Sequence, residues 1–401
     1  MDRQGAGPKS GASLSPGNLL AILSSAAGGD WPPLLRLAVA WRDRGHEVLL
    51  VADPGTALAA RSAGFSPICL PSGRTLGEWL EPHLGDLLHS GEGIGPTSAN
   101  PLAGWARACR PWLLEVLHGW RPSLIISSLF CQYLAEEVAD ALGLPWCCVN
   151  PGCSFGGRGR PFPAADFSPL GAALYQHWLL PPLNRADLVL HATSLGFDRP
   201  GHPLPGNQWH IGPLFWEWPV PIPEQLRQPG PPWLLLSLST SPQKGDLALV
   251  EAAAVAAATL PVRVLATLPG RGTVPAVGRL PANMLVTGYL PHRQVLAHCR
   301  LVISNAGHGL VLKALGQGVP LLLIPWGRDQ FGVASRAEHL GVARVIPREA
   351  CRVRPLHAAI SALLNDPGCT RAAQREARRL QRLDPCSEGC AHLAALCAFS
   401  G

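Results

Sequence analysis

Three short stretches carry residues whose types and spacing suit chemistry. The first is Asn305-Ala306-Gly307-His308-Gly309, set between the apolar run Leu301-Val302-Ile303 and a helical pattern that begins at Leu310. A glycine-bearing turn that leads a strand into a helix aims several backbone N–H groups and the positive end of the helix dipole at one point, which suits a phosphate. The second is Asp329-Gln330, a few residues beyond the apolar run that ends at Pro325. A carboxylate beside an amide both accepts and donates hydrogen bonds, as neighbouring sugar hydroxyls require. Ligands of open α/β sheets lie beyond the carboxyl ends of the strands, so both loops should border one crevice. Together they describe a site for a sugar joined to a diphosphate.

The third stretch is Gly28-Gly29-Asp30-Trp31-Pro32-Pro33, which follows a strand pattern at 19–24. A hydroxyl is a poor nucleophile until a group within hydrogen-bond reach removes its proton, and Asp30 would face the crevice to do so. Each stretch also has a plainer reading. The glycines would serve only a tight turn, and Asp329 and Asp30, each just ahead of an apolar helix, would serve as N-caps. His46 opens the second strand at the opposite end of the sheet and reads as structural. There is no nucleophile elbow of the G-x-S-x-G kind and no Walker-type loop.

The elements that must hold these residues alternate. Strand patterns at 19–24, 48–51, 65–70, 124–128 and 145–150 are interleaved with helical patterns at 31–45, 55–63, 103–119 and 131–142, the rhythm of a parallel sheet with crossover helices. An aromatic-bearing helical segment is expected at 170–180. The rhythm restarts with strands at 234–238, 262–266, 284–287, 301–304 and 320–324, then two terminal helices over 355–383. Between the halves, the Pro-rich stretch 212–233 forbids a continuous helix or central strand and reads as an extended linker. The organisation expected is a loose leader 1–17, an acceptor-binding Rossmann-like domain 18–211, the linker, a second Rossmann-like domain 234–385, and an apolar tail 386–401 that docks. Irregular stretches at 71–101 and 151–167 are expected to be a functional loop and a mobile one.

The 401 residues exceed one ordinary core of about 200, in line with two domains. With 47% hydrophobic and 15% charged residues the chain is globular rather than disordered. The formal charge of +6 is spread without any dense Lys/Arg run, which argues against nucleic acid. The cysteines are scattered, without a usual zinc spacing, and read as reduced buried thiols; Cys386, Cys390 and His392 match no such pattern. The run 18–27 imitates a signal peptide, but the amphipathic helix after it favours a first buried strand. No stretch reaches the ~18 apolar residues of a membrane span. A cytoplasmic protein is expected, its mild positive excess compatible with contact at a membrane surface.

Residues 284–342 resemble the donor-binding half of UGT-like family 1 glycosyltransferases, including those that act on antibiotics and other natural products. The family pattern of a glycine-rich turn, a helix, G-V-P, a strand and D-Q is matched by Asn305 to Leu310, Gly318-Val319-Pro320 and Asp329-Gln330. Upstream, Val286-Thr287-Gly288-Tyr289-Leu290-Pro291, Ser237-Leu238-Ser239-Thr240 and His210-Ile211-Gly212-Pro213-Leu214 resemble the family's base-binding segment, phosphate-facing loop and entry to the linker. Asn305 stands where the family has His, Leu310 where it has Thr, and Val333 where it has Asn.

The resemblance implies an α/β GT-B fold of two Rossmann-like domains facing across a cleft. It implies an inverting transfer of a hexose or deoxyhexose from a UDP- or dTDP-linked sugar to an acceptor hydroxyl; Trp31, Phe130, Phe155 and the Trp-bearing segments point to an apolar or aromatic small molecule as that acceptor. No cofactor or metal is expected beyond that NDP-sugar. Donor contacts are implied for Tyr289, Leu290 and Pro291 at the base; for Thr240, Asn305, Gly307, His308 and Gly309 at the diphosphate; and for Trp326, Asp329 and Gln330 at the sugar. Asp30 takes the general-base position. A non-catalytic NDP-sugar-binding partner and an NDP-sugar epimerase on the same architecture remain open beside this reading, as do the acceptor and the oligomeric state.

Overall fold

A computed structural model describes residues 17–24, 28–82, 94–95, 99–155, 162–238, 246–268 and 281–399. The leader and parts of the expected loops at 71–101 and 151–167 lie outside the described residues.

The first half is a seven-stranded sheet built from β1 (Leu19–Leu23), β2 (Val48–Ala52), β3 (Ile68–Cys69), β4 (Leu124–Ser128), β5 (Trp146–Asn150), β6 (Leu188–His191) and β7 (Gln208–His210). Its order is β3-β2-β1-β4-β5-β6-β7, and every pairing is parallel. The second half is a six-stranded parallel sheet of β8 (Trp233–Ser237), β9 (Arg263–Thr267), β10 (Met284–Thr287), β11 (Cys299–Ser304), β12 (Leu321–Leu323) and β13 (Ala343–Val345). Its order is β10-β9-β8-β11-β12-β13. Strand order reverses between β1 and β4 in one sheet and between β8 and β11 in the other. Such reversals splay the flanking loops apart and leave a crevice at the carboxyl ends.

Central strands read as continuous apolar runs because helices cover both faces. Leu20 and Ile22 of β1 enter a core with Trp105, Leu134 and Val138. Leu19, Ala21 and Leu23 enter the opposite layer with Leu34, Leu35 and Trp41 of the helix Trp31–Arg42. In the second half Val302 packs towards Val311 and Leu315, and Leu301 and Ile303 towards Leu249 and Leu356. The last helix, Pro385–Phe399, crosses back to the first half, where Cys390, Leu393 and Ala394 are buried beside Leu37.

Strands β6, β7 and β13 are additional to those expected. Each is short, and β7 and β13 are edge strands that need only a few pairings, so their apolar patterns are brief. The expected strand at 65–70 shrinks to the two residues of β3, which pair Val51 with Ile68 and Ala52 with Cys69. From 212 to 232 the chain is irregular apart from a 3-10 turn at Glu224–Arg227, as its prolines require. All twelve cysteines are free thiols, and among the described residues no helix is long and apolar enough to cross a membrane.

Candidate active site

Asp30 ends the loop after β1 and directly precedes the helix Trp31–Arg42, with Pro in the first turn. It does not cap that helix: φ −82° and ψ −27° are already helical, and the side chain makes no capping hydrogen bond. The carboxyl group is buried, at 4% exposure, and neither oxygen has a partner in good hydrogen-bond geometry, although the Ser128 hydroxyl and the Phe130 amide lie close enough to favour its charged form. Burial pushes its pKa up to about 7, against the weaker pull of the nearby Ser128 hydroxyl and the Phe130 amide. A group that titrates near neutrality can both take and hold a proton at working pH. His46 has a structural place: its Nδ1 accepts from the Gly17 amide at 3.0 Å, and its ring stacks on Trp41 at 4.2 Å.

In the second half the turn after β11 places Asn305 at 1% exposure with both side-chain polar atoms unpartnered. Ala306 is held at φ 65°, a left-handed conformation that costs a non-glycine residue about 1 kcal/mol or more. Gly307 has an ordinary φ of −62° and sits at the N-terminus of the helix His308–Gly316. A Cβ added at Gly307 or Gly309 would meet nothing within 4 Å. Packing therefore does not demand glycine at either position. Both keep open the space in front of a helix N-terminus. The His308 ring turns to the first half, with Nε2 3.2 Å from the Thr193 hydroxyl and Phe197 edge-on at 5.8 Å. Burial lowers its pKa to about 4, so the imidazole is neutral.

The loop after β12 carries the sugar-site candidates. Gln330 Oε1 accepts from the Trp326 amide at 2.9 Å and the Gly327 amide at 3.1 Å, so this oxygen shapes its own loop. Trp326 Nε1 is buried without a partner, and the Arg348 guanidinium lies 4.6 Å over the ring. Asp329 precedes the helix Gln330–His339 without capping it, and burial raises its pKa. Arg328 beside it has φ 55°, a second strained residue at the crevice.

Tyr289, Leu290 and Pro291 follow β10, and the Tyr289 hydroxyl accepts the Trp218 amide of the linker at 3.0 Å. His292, next in sequence, was not singled out by motif. Its Nε2 lies 3.0 Å from Thr267 Oγ1 and 3.5 Å from Ser237 Oγ at the ends of β9 and β8. Burial drives its pKa down to about 3. Its position directly after Pro291 was the one available sign. Thr240 lies outside the described residues. A cavity of about 470 Å³ is lined by Phe215, Trp216, Trp218, Pro291 and Arg293. It runs along the linker and borders the expected base segment at Pro291.

The two halves meet over these loops. The Gly152 region lies against Asp329, since an added Cβ there would stand 3.6 Å from its Oδ2. Ser168 Oγ accepts from the Arg328 amide at 2.9 Å, and the Ser168 amide donates to the Arg328 carbonyl at 2.8 Å. The Tyr175 phenol is pushed well above its ordinary pKa by burial, and then by the carboxylates of Asp329 and Asp30. One side chain thus feels the leading carboxylate of each half. Tyr175 opens a π turn, Tyr175–Leu179, inside the 169–183 helical segment, an irregularity common at functional sites.

Two parallel doubly wound sheets, joined by an extended linker and facing each other with polar groups at their strand ends, form a GT-B fold. Solved structures agree along nearly the whole chain. The glycosyltransferase VinC in complex with DTDP superposes with TM-score 0.71 and 20% identity, covering 95% of this chain and 100% of that one. The glycosyltransferase SnogD from Streptomyces nogalater gives TM-score 0.70 and 22% identity over 94% and 98%. Residues 253–393 match the family model described as the C-terminal domain of erythromycin biosynthesis protein CIII-like proteins. Among curated relatives, the PGL/p-HBAD biosynthesis glycosyltransferase of Mycobacterium tuberculosis (strain ATCC 25177 / H37Ra) is 29% identical over 178 residues, 44% of this chain and 40% of its own length. The oleandomycin glycosyltransferase of Streptomyces antibioticus is 33% identical over 123 residues, 28% of this chain and 29% of its own length. These matches therefore span less than half of the relatives' length.

Proposed function

We infer that this chain is an inverting glycosyltransferase that moves a sugar from an NDP-sugar to a hydroxyl of an apolar or aromatic small molecule. The observation that carries this reading is where the unpartnered buried polar atoms lie. Asp30 Oδ1 and Oδ2 and Ser128 Oγ lie at the ends of β1 and β4, and Ser304 Oγ, both Asn305 atoms and Trp326 Nε1 lie after β11 and β12. Each such group costs about 1–3 kcal/mol when left unpaired; others, such as Trp79 Nε1 and Trp178 Nε1, lie away from the strand ends, but those at the carboxyl ends of β1, β4, β11 and β12 favour a ligand that pairs them. Asn305 and the amides at Gly307–Gly309 would hold the diphosphate, with Tyr289–Pro291 at the base and Trp326, Asp329 and Gln330 at the sugar.

Asp30 would accept the proton of the acceptor hydroxyl as its oxygen attacks the anomeric carbon from the side opposite the leaving group. The bond from that carbon to the diphosphate oxygen breaks, and the helix N-terminus stabilises the charge that develops on the departing NDP. Names such as oleandomycin glycosyltransferase and 4'-demethylrebeccamycin synthase among the relatives support a natural-product acceptor.

The test is to incubate the purified chain with UDP- and dTDP-sugars and a panel of phenolic and macrolide acceptors, following products by mass spectrometry. A glycosylated acceptor of inverted anomeric configuration, lost in Asp30→Asn, is expected. Conversion of the donor sugar without any acceptor would favour the epimerase reading, and tight NDP binding with no product the non-catalytic one.

A further inference from the structure

The helix that begins at Gln330 is fastened to the opposite half by a partly buried ion cluster that the proposed reaction leaves unused. Arg336 lies about two turns beyond Asp329 on this helix. Its Nη1 donates to Asp166 Oδ2 at 2.8 Å and to the Gly332 carbonyl at 3.1 Å. Its Nε donates to the Asp198 carbonyl at 2.7 Å and stands 3.3 Å from Asp198 Oδ1. Asp198 is fully buried and is itself tied to the strand ends of the first sheet. It accepts from the Ser154 amide at 2.9 Å and the Ser154 hydroxyl at 2.6 Å, both after β5, and from His210 Nε2 at the end of β7 at 2.7 Å. One guanidinium therefore joins the helix behind the sugar loop to a rigid corner of the first half.

The backbones come unusually close around this cluster, and glycine permits it. A Cβ at Gly332 would stand 2.6 Å from Asp166 Cβ, and one at Gly171 would stand 3.0 Å from Arg328 Cα. A guanidinium with several fixed donors sets a geometry, whereas a surface ion pair mainly adds a weak attraction.

We propose that Arg336 is a positioning residue: by its anchorage to Asp198 and Asp166 it holds the helix Gln330–His339, and with it Asp329, at a set place relative to Asp30 across the crevice. The proposal rests on the glycosyltransferase reading for its catalytic consequence but not for its structural one. It acts through the helix Gln330–His339 on the distance between the donor's anomeric carbon and the acceptor hydroxyl. A misplacement of about 1 Å can cost about 100-fold in rate.

The experiment compares the full-length chain with Arg336→Met, Arg336→Lys and Gly332→Ala. It measures kcat and donor KM, dTDP and UDP affinity by calorimetry, and the solution scattering profile. For Arg336→Met the expected result is a kcat loss of about 100-fold. NDP affinity should change less than about threefold, the signature of lost transition-state geometry, and the scattering profile should broaden as the halves separate. Arg336→Lys should recover part of kcat. Gly332→Ala keeps every charge but forces the helix off Asp166, and should show the same loss of kcat without loss of NDP affinity.

A folded Arg336→Met with wild-type kcat and wild-type scattering would overturn the proposal. So would a fall in NDP affinity as large as the fall in kcat/KM, which would make Arg336 a donor ligand. Should Arg336→Met fail to fold, wild-type kcat in Gly332→Ala overturns it. Should the wild-type chain transfer no sugar at all, the functional reading fails separately, and scattering of Arg336→Met still decides the clamp: an unchanged profile sinks it.

Discussion

At the scale of single residues, the site is marked by groups that folding alone would not leave as they are. Asp30 is a buried carboxyl without a partner in good hydrogen-bond geometry, its pKa moved from 3.8 to about 7, which amounts to at most roughly 4 kcal/mol of preference for the protonated form. Because the folded value lies above the unfolded one, this contribution favours the native state below about pH 4 and is lost as pH rises through about 7. Asp30→Asn should therefore flatten the decline of thermal stability between pH 4 and 7 while lowering kcat by about 100- to 10,000-fold. Wild-type transfer should rise through pH 7 as the carboxyl ionises. A variant with unaltered kcat and an unaltered stability profile would remove Asp30 from the mechanism.

Asn305 offers the parallel case in the second half, an amide at 1% exposure with neither polar atom paired. Asn305→Leu should raise stability by about 1–2 kcal/mol, since an unsatisfied amide is replaced by an apolar group of similar size. In calorimetry it should weaken NDP binding by about tenfold or more, equivalent to about 1.4 kcal/mol.

Among the elements, the helix His308–Gly316 decides most, because its N-terminus faces the crevice and its first turn carries no Cβ at Gly309. Glycine there is not needed by backbone or packing: its φ is not positive, and an added Cβ meets nothing within 4 Å. Gly309→Ala should then leave unfolding free energy unchanged or raise it by up to about 1 kcal/mol. The same change should reduce NDP affinity, since the methyl enters the space where N–H groups converge. Chemical denaturation and calorimetry on one sample check both halves of this expectation. The opposite outcome is expected at Gly171, where an added Cβ stands 3.0 Å from the Arg328 backbone. Gly171→Ala should destabilise by about 1–3 kcal/mol through overpacking.

For the whole molecule, the ties between the halves include the linker, the returning helix Pro385–Phe399, the hydrogen bonds between Ser168 and the Arg328 backbone, and the polar cluster at Asp198. The aromatic contacts Trp31–Trp216 at 5.4 Å and Trp216–Trp218 at 4.9 Å brace the linker against the helix that Asp30 precedes. Burial alone would raise the pKa of Asp198, but hydrogen bonds from His210 and Ser154 and the Arg336 charge hold it well below the usual carboxylate range. Its contribution is thus present above the unfolded value of 3.8 and is lost as pH falls towards the folded one. Asp198→Asn should lower stability by about 1–3 kcal/mol at neutral pH, because the buried carboxylate that accepts from His210 and Ser154 is lost, while Arg336 keeps Asp166 and the residue-198 carbonyl. The deficit should shrink in acid, as measured by denaturant unfolding across pH.

Period and punctuation were enough for much of this. The apolar runs of β1, β4, β5 and β11 are continuous because both faces of each are covered, and that made a doubly wound parallel sheet readable twice along one chain. The prolines of 212–232 have no donor to give a sheet and no place inside a helix, so the linker was readable too. Strands β6, β7 and β13 were not, because a brief edge strand is specified by its neighbour's hydrogen bonds more than by its own residues.

At the candidate site, local chemistry at strand ends marked Asp30, Asn305, Gly307, Gly309, Asp329 and Gln330 as candidates. Sequence left open whether the two aspartates cap their helices; the folded chain leaves both uncapped, because neither side chain reaches its helix amides. Only tertiary structure turned the His308 ring towards Thr193, placed His292 between β8 and β9, and assembled Asp198, Arg336 and Asp166 from distant stretches. Local pattern records what a residue can do with its neighbours in the chain, whereas burial and charge pairing depend on which strand ends are folded together.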